Sequence, residues 1–229
     1  MTSEEKNTLL LAHFAQFISD HKKSFLEKVL ELRTRYITVV LEDIFQSQNA
    51  SAVVRTCECM GLQDIHIIES KSSYSVNKSV IKGANKWIDL IRYKAKGTNN
   101  TETCFKNLRE KGYRIMVTDP ASDGYSIDEI SVTDQPLAIV MGNELDGASK
   151  YALDNADVKV RIPMYGFTES LNISVSAAIC LNTLLPKLRQ SSASWQLTAT
   201  EIDTLRLQWY KKIVKRSEII EKEFLRSIE

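Results

Sequence analysis

Five polar residues of this chain sit where they could hold a proton or grip an anion: Asn49, Arg55, Glu144, Ser170 and Asn172. They fall in three short segments. Asn49-x5-Arg55-Thr56 opens a helix-like stretch soon after an apolar run. Gly142-Asn143-Glu144-Leu145-Asp146-Gly147 follows the apolar run Leu137 to Met141. Ile162-Pro163-Met164 passes through a polar loop into Ser170-Leu171-Asn172-Ile173-Ser174, where a long apolar helix begins. Loops at the ends of regular elements carry function more often than the elements themselves. A helix N-terminus adds unpaired N–H groups that can hold a polar ligand. The three segments therefore predict one composite site built from strand ends.

The residue types exclude several chemistries. Ser170 has neither a Gly-x-Ser-x-Gly setting nor a placed histidine, so a hydrolase triad is unsupported. No G-x-G-x-x-G follows the first strand and no G-K-[ST] occurs, which removes the usual dinucleotide and P-loop signals. Four cysteines, Cys57, Cys59, Cys104 and Cys180, and three histidines, His13, His21 and His66, form no ligand spacing. Reduced cysteines and no metal are expected.

The elements that must position these segments follow from periodicity. Residues 4–34 read as helical, with Leu9, Leu10, Phe14 and Phe17, then Phe25, Val29, Leu30 and Leu32, near a 3.6 repeat. Ile37 to Leu41 is β-branched and reads as a buried strand. A helix from Asn49 to Met60 ends at Gly61. Further strands are expected at Ile65 to Ile68, Trp87 to Tyr93, Arg114 to Thr118, Leu137 to Met141 and Val158 to Ile162. Further helices are expected at Thr101 to Glu110, Ser149 to Asn155, from Asn172 to near Arg189, and from Thr200 to Phe224. Residues 70–86 read as a loop, and residues 119–136 as an acidic loop with one weak turn. Strands alternating with helices predict an α/β domain whose mostly parallel sheet is covered on both faces. Ligands in such sheets bind beyond the carboxyl ends of the strands.

Length and composition set the frame. The 229 residues, 43% hydrophobic and 26% charged, suit one soluble α/β domain with appendages. The polar N-terminus does not read as a signal peptide, and no apolar run reaches about 18 residues, so no membrane span is expected and the cytoplasm is the default. The net charge of +1 hides segregation. Residues 71–96 carry seven Lys and Arg against Asp89 alone, residues 206–216 carry five against no acid, and residues 119–157 carry nine acids against Lys150. The near-neutral total speaks against indiscriminate polyanion binding, while the two basic stretches allow a directed one. Their plainer alternative is a solvated face.

The three segments, in this order and spacing, closely resemble motifs 1, 2 and 3 of the SPOUT superfamily of methyltransferases, in its SpoU/TrmH branch. The resemblance covers roughly residues 35–190. The helical ends, with Leu205-x3-Trp209-Tyr210, and the pair Lys86-Trp87 resemble the tRNA (guanosine-2′-O)-methyltransferases of that branch. The resemblance implies a SPOUT α/β-knot domain at 35–190 with a deep C-terminal trefoil knot, a helical extension at 1–34 and another at 195–229. It implies S-adenosylmethionine as cofactor, at positions matching Thr118, Gly142, Ile162 and Leu171. It implies a homodimer with a shared catalytic site, acting on tRNA at the ribose 2′-hydroxyl of the D-loop guanosine 18.

Arg55 matches the family's catalytic arginine, against the alternative of a plain surface residue. Asn49 would orient Arg55 or the ribose, or merely cap its helix. Glu144 would hold the knot loop through backbone N–H groups or fix a catalytic partner. Ser170 and Asn172 would cap the third-motif helix and reach the substrate. The cluster Trp209-Tyr210-Lys211-Lys212 would stack and pair with RNA, or pack on the partner subunit. A ribosomal RNA or another tRNA position remains the alternative target, and a non-catalytic knotted RNA-binding module the alternative class.

Overall fold

The architecture comes from a computed structural model that describes residues 2–121 and 124–228. Seven strands, β1 (Ile37–Glu42), β2 (Asp64–Ile68), β3 (Asp89–Tyr93), β4 (Arg114–Thr118), β5 (Tyr125–Ser126), β6 (Leu137–Met141) and β7 (Val158–Arg161), form one sheet in the order β3-β2-β1-β6-β4-β7-β5. Every pairing is parallel. β1, whose burial is complete along its length, shows why four of its six residues are apolar and the run does not alternate. Ile37, Val39 and Leu41 point into one core layer, with Val53 and Val54 of α3 (Ser47–Cys59) and Leu181 and Leu184 of α7 (Ile173–Gln190). Val40 points into the other, with Phe105 and Leu108 of α5 (Asn100–Glu110) and Ala152 of α6 (Lys150–Asp154). A strand buried on both faces loses the alternation of a half-exposed one.

The sheet and its helices span Thr34–Trp195 as one compact unit. Its two ends are tied together, since the Thr34 hydroxyl donates to the Trp195 carbonyl at 2.6 Å. A second unit joins the described residues up to Arg33 with those from Gln196 onward. It contains α1 (Ser3–Ala15), α2 (Asp20–Leu30), α8 (Ala199–Ile213) and α9 (Ser217–Ile228). Leu10, Phe14, Leu30 and Trp209 are buried there, and the Arg206 guanidinium holds the Glu27 carboxylate through Nε and Nη2, at 2.6 and 2.7 Å.

Several expectations need correction. The helical stretch 4–34 is broken between Ala15 and Asp20, although it holds neither glycine nor proline; Ser19 starts the second helix in an extended conformation. Of its apolar repeat, Leu9, Phe17, Phe25 and Leu32 are exposed. The terminal helix is likewise two, because Arg216 adopts φ +57° between α8 and α9. The 70–86 segment carries a one-turn helix, α4 (Lys78–Ile81), and a 3₁₀ turn at Ala84–Lys86. The acidic loop contributes the short strand β5. Trp209 and Tyr210 are buried inside their own unit, with the Arg33 guanidinium 5.3 Å from the Trp209 ring. These two rings are not available to stack on RNA or to cover a partner. All four cysteines are free, and the described residues contain no cluster of His, Cys, Asp and Glu fit for a metal ion. Among the described residues, no helix is long and apolar enough to cross a membrane.

Candidate active site

The carboxyl ends of β1, β4, β6 and β7 face one region, at the point where strand order reverses between β1 and β6. Three of those ends lead into the sequence segments: β1 through a short loop into α3, which carries Asn49 to Thr56, and β6 and β7 into the loops that carry the other two. After β6 the chain turns sharply at Gly142. A Cβ there would lie 2.0 Å from the Ala148 nitrogen, so only glycine lets the loop fold back on itself. The loop is then pinned: Asn143 and Gly147 exchange backbone bonds of 3.0 and 3.1 Å, and Asn143 Oδ1 accepts from the N–H groups of Leu145 and Asp146. Its exit is held by Glu42, the buried last residue of β1. The Glu42 carboxylate accepts from the backbone N–H and the hydroxyl of Ser149, both at 2.8 Å, and from Thr101 at 2.6 Å.

One hydrogen-bonded chain joins all three segments. Glu144 accepts from Asn49 Nδ2 at 2.7 Å and from the backbone N–H groups of Phe45 and Gln46 at 3.0 and 3.3 Å. Asn49 Oδ1 in turn accepts from Asn172 Nδ2 at 3.1 Å. Asn172 is the N-cap of α7; its Oδ1 accepts from the Ser174 N–H at 2.9 Å and the Ser174 hydroxyl at 2.6 Å. Burial pushes the Glu144 carboxyl up, and the donors from Asn49, Phe45 and Gln46 outweigh it, so it lies below the ordinary glutamate value. Glu144 stays an acceptor and fastens the second loop to the start of α3.

Beside this chain lies a cleft of about 340 Å³, lined by Thr118, Gly142, Glu144, Ile162, Ser170 and Leu171 among others. That is within the range of small-molecule sites, roughly 300–1,000 Å³. Apolar walls come from Met141, Leu153, Val160 and Ile173, and carboxylates from Asp119, Asp146 and Glu169. The Thr118 hydroxyl is spoken for by the Val140 carbonyl, at 3.0 Å.

Each sequence-derived residue thus has a place. Thr118, Gly142, Ile162, Leu171, Glu144 and Ser170 meet at the cleft; Asn49 and Asn172 stand behind Glu144. Two roles change. Asn49 does not cap α3, because the helix starts earlier, at Ser47 with Gln46 as N-cap, and Asn49 lies inside its first turn. Ser170 does not cap α7, because only Asn172 immediately precedes the first helical residue. Arg55 stands apart: it is exposed on α3, and its Nη1 donates to the Val80 carbonyl at 3.3 Å. Sequence reasoning missed Glu42, whose only signal was a carboxylate ending an apolar strand.

Residues 36–182 match the model of the SpoU rRNA methylase family. The chain belongs to that family. A tRNA (guanosine(18)-2′-O)-methyltransferase of Borreliella burgdorferi is 44% identical over 207 residues, covering 90% of this chain and 92% of the relative. Among solved structures, an Aquifex aeolicus TrmH/SpoU tRNA modifying enzyme superposes with a TM-score of 0.74 at 27% identity, covering 86% of this chain and 98% of that one. An AdoMet-bound rRNA methyltransferase from Sinorhizobium meliloti shares the fold, with a TM-score of 0.60 at 20% identity over 71% and 60% of the two chains. The methylase match spans the sheet, the three loops and most of α7.

Proposed function

We propose that this SpoU-family protein is an S-adenosylmethionine-dependent tRNA (guanosine(18)-2′-O)-methyltransferase. The observation that carries the reading is the chain Glu144–Asn49–Asn172 beside the cleft, in a sequence 44% identical to an enzyme of that name. The cleft fits the cofactor. Leu153, Val160 and Ile162 offer apolar walls for a flat base, and the carboxylates of Asp119, Asp146 and Glu169 suit a ligand carrying positive charge. The tight turn at Gly142 brings loop backbone to the cleft wall, where N–H and C=O groups can read a base edge. Thr118, Gly142, Ile162 and Leu171 would hold it. Bound there, S-adenosylmethionine supplies an electrophilic methyl group on a sulfonium.

The chain's own residues do the rest. Glu144, Asn49 and Asn172 fix the three loops, so that the incoming hydroxyl meets one geometry; orientation of this kind contributes much of such a rate. Ser170 lines the cleft, and there it would contact the ribose. Arg55 carries a guanidinium, a fork of hydrogen-bond donors with no acceptor for a substrate proton. It holds an RNA phosphate, through which the 2′-hydroxyl proton leaves, and stabilises the negative charge that develops on the 2′-oxygen. Within one chain Arg55 is not among the residues lining the cleft. A homodimer in which the partner's arginine completes each cleft accounts for this separation. The knotted threading of the C-terminal part belongs to the same reading, as do a division into a catalytic domain at 35–190 with helical extensions at 1–34 and 195–229, and a cytoplasmic location.

The test is direct. Incubation with methyl-labelled S-adenosylmethionine and a tRNA transcript, followed by nuclease mapping, should place the label on guanosine 18. Label at another nucleotide would overturn the target; no label in any RNA would overturn the enzyme.

A further inference from the structure

Arg55 is exposed, yet its surroundings are not those of a free surface side chain. Ser51 lies one turn earlier on α3, on the same face, because residues four apart on a helix are stacked. Its hydroxyl is fully buried and accepts from the Asn77 backbone N–H at 2.8 Å. Asn77 then caps α4: its Oδ1 accepts from the N–H and the hydroxyl of Ser79. Three residues after Asn77 comes the Val80 carbonyl that receives Arg55 Nη1. Ile81, the next residue, is buried in the same core layer as Val54. Two consecutive left-handed residues, Lys82 at φ +48° and Gly83 at φ +83°, then stop the helix. A single helical turn is too short to persist by itself. Here it is fixed at one end by Ser51 and at the other by Ile81, which leaves the Val80 carbonyl at a defined place over α3.

We infer that α4 is a positioning device for Arg55, with Ser51 as its anchor and Asn77 as its cap. Ser51 and Asn77 are positioning residues: their side chains are engaged in hydrogen bonds within the protein, and they act by setting where the guanidinium points. The inference rests on the role proposed above for Arg55. Its chemistry is simple. A carbonyl seats one N–H of the guanidinium fork and leaves the remaining donors for a phosphate oxygen.

The test compares Ser51→Ala and Asn77→Ala with the unaltered protein. Ser51→Ala removes the acceptor of the Asn77 N–H; Asn77→Ala loosens α4 from its outer side and leaves α3 untouched, which covers the case in which the first variant folds poorly. Turnover is measured on whichever RNA the unaltered protein methylates, with the S-adenosylmethionine dissociation constant and the NMR order parameter of the Arg55 Nε–H group alongside. In both variants that order parameter should fall, kcat should drop about tenfold, as small misplacements do, and cofactor affinity should stay within about twofold. An unchanged order parameter, an unchanged kcat, or cofactor affinity lost in step with kcat overturns the inference. If no RNA is methylated, the functional reading fails, and the order parameters still decide whether Ser51 seats Arg55.

Discussion

Replacing Glu144 by glutamine preserves its shape and removes its charge. In the structure the carboxylate receives three donors, Phe45 N–H on one oxygen, and Gln46 N–H with Asn49 Nδ2 on the other. An amide can keep only one oxygen. Its cheaper orientation retains the oxygen facing Asn49 and sets its NH2 group against the Phe45 N–H, donor against donor. Hydrogen bonds to a charged group contribute about 1.5–3 kcal/mol each. Glu144 is only partly buried, so solvent screening brings the expected loss down to about 1 kcal/mol. For a chain of this size that is a melting shift of about 2–4 °C.

The sign with pH follows from the carboxyl being lowered in the folded protein. Its stabilisation is fully present above the ordinary glutamate value and is lost as pH falls through the lowered native one. Thermal unfolding of the protein and of Glu144→Gln, from pH 7 downward, should show the full gap at neutral pH and a closing gap in acid. Equal stability at pH 7, or a gap that persists unchanged in acid, would refute the hydrogen-bonding role assigned to Glu144.

Other substitutions probe the same site. Gly142→Ala places a methyl against the Ala148 nitrogen, and isothermal titration should show S-adenosylmethionine affinity reduced at least about tenfold, a change of about 1.4 kcal/mol. Asn172→Ala removes the α7 cap and the bridge to Asn49; urea unfolding should record a loss of about 1–2 kcal/mol. Arg55→Ala should reduce turnover by at least about 10²-fold, and equilibrium dialysis should find cofactor binding nearly intact. Raising salt should weaken tRNA binding with a linear log–log slope, about 0.9 per phosphate contacted on duplex segments.

Much of the sheet was legible because β1, β4 and β6 are β-branched or aliphatic runs ended by polar residues, and parallel pairing follows from alternation with helices. The three site loops were legible because each combines a turn-forming or capping residue with polar side chains at a strand end. What stayed hidden was mostly long-range. Nothing local says that Glu144 grips the Phe45 and Gln46 N–H groups about a hundred residues away, or that Glu42 holds Ser149. Nothing local says that Trp209 is buried under Arg33, since an amphipathic helix looks the same whichever surface covers it. The helix breaks at 16–19 and 214–216 lack glycine and proline, and α4 is shorter than a periodic signal can register.

The central claim, methyl transfer to a ribose oxygen, is tested most directly by two tRNAs that differ in one atom. A transcript with guanosine 18 and a ligated tRNA carrying 2′-deoxyguanosine at that position would be incubated with the protein and labelled S-adenosylmethionine. Transfer to the 2′-oxygen requires label in the first and none in the second; equal label in both would contradict it.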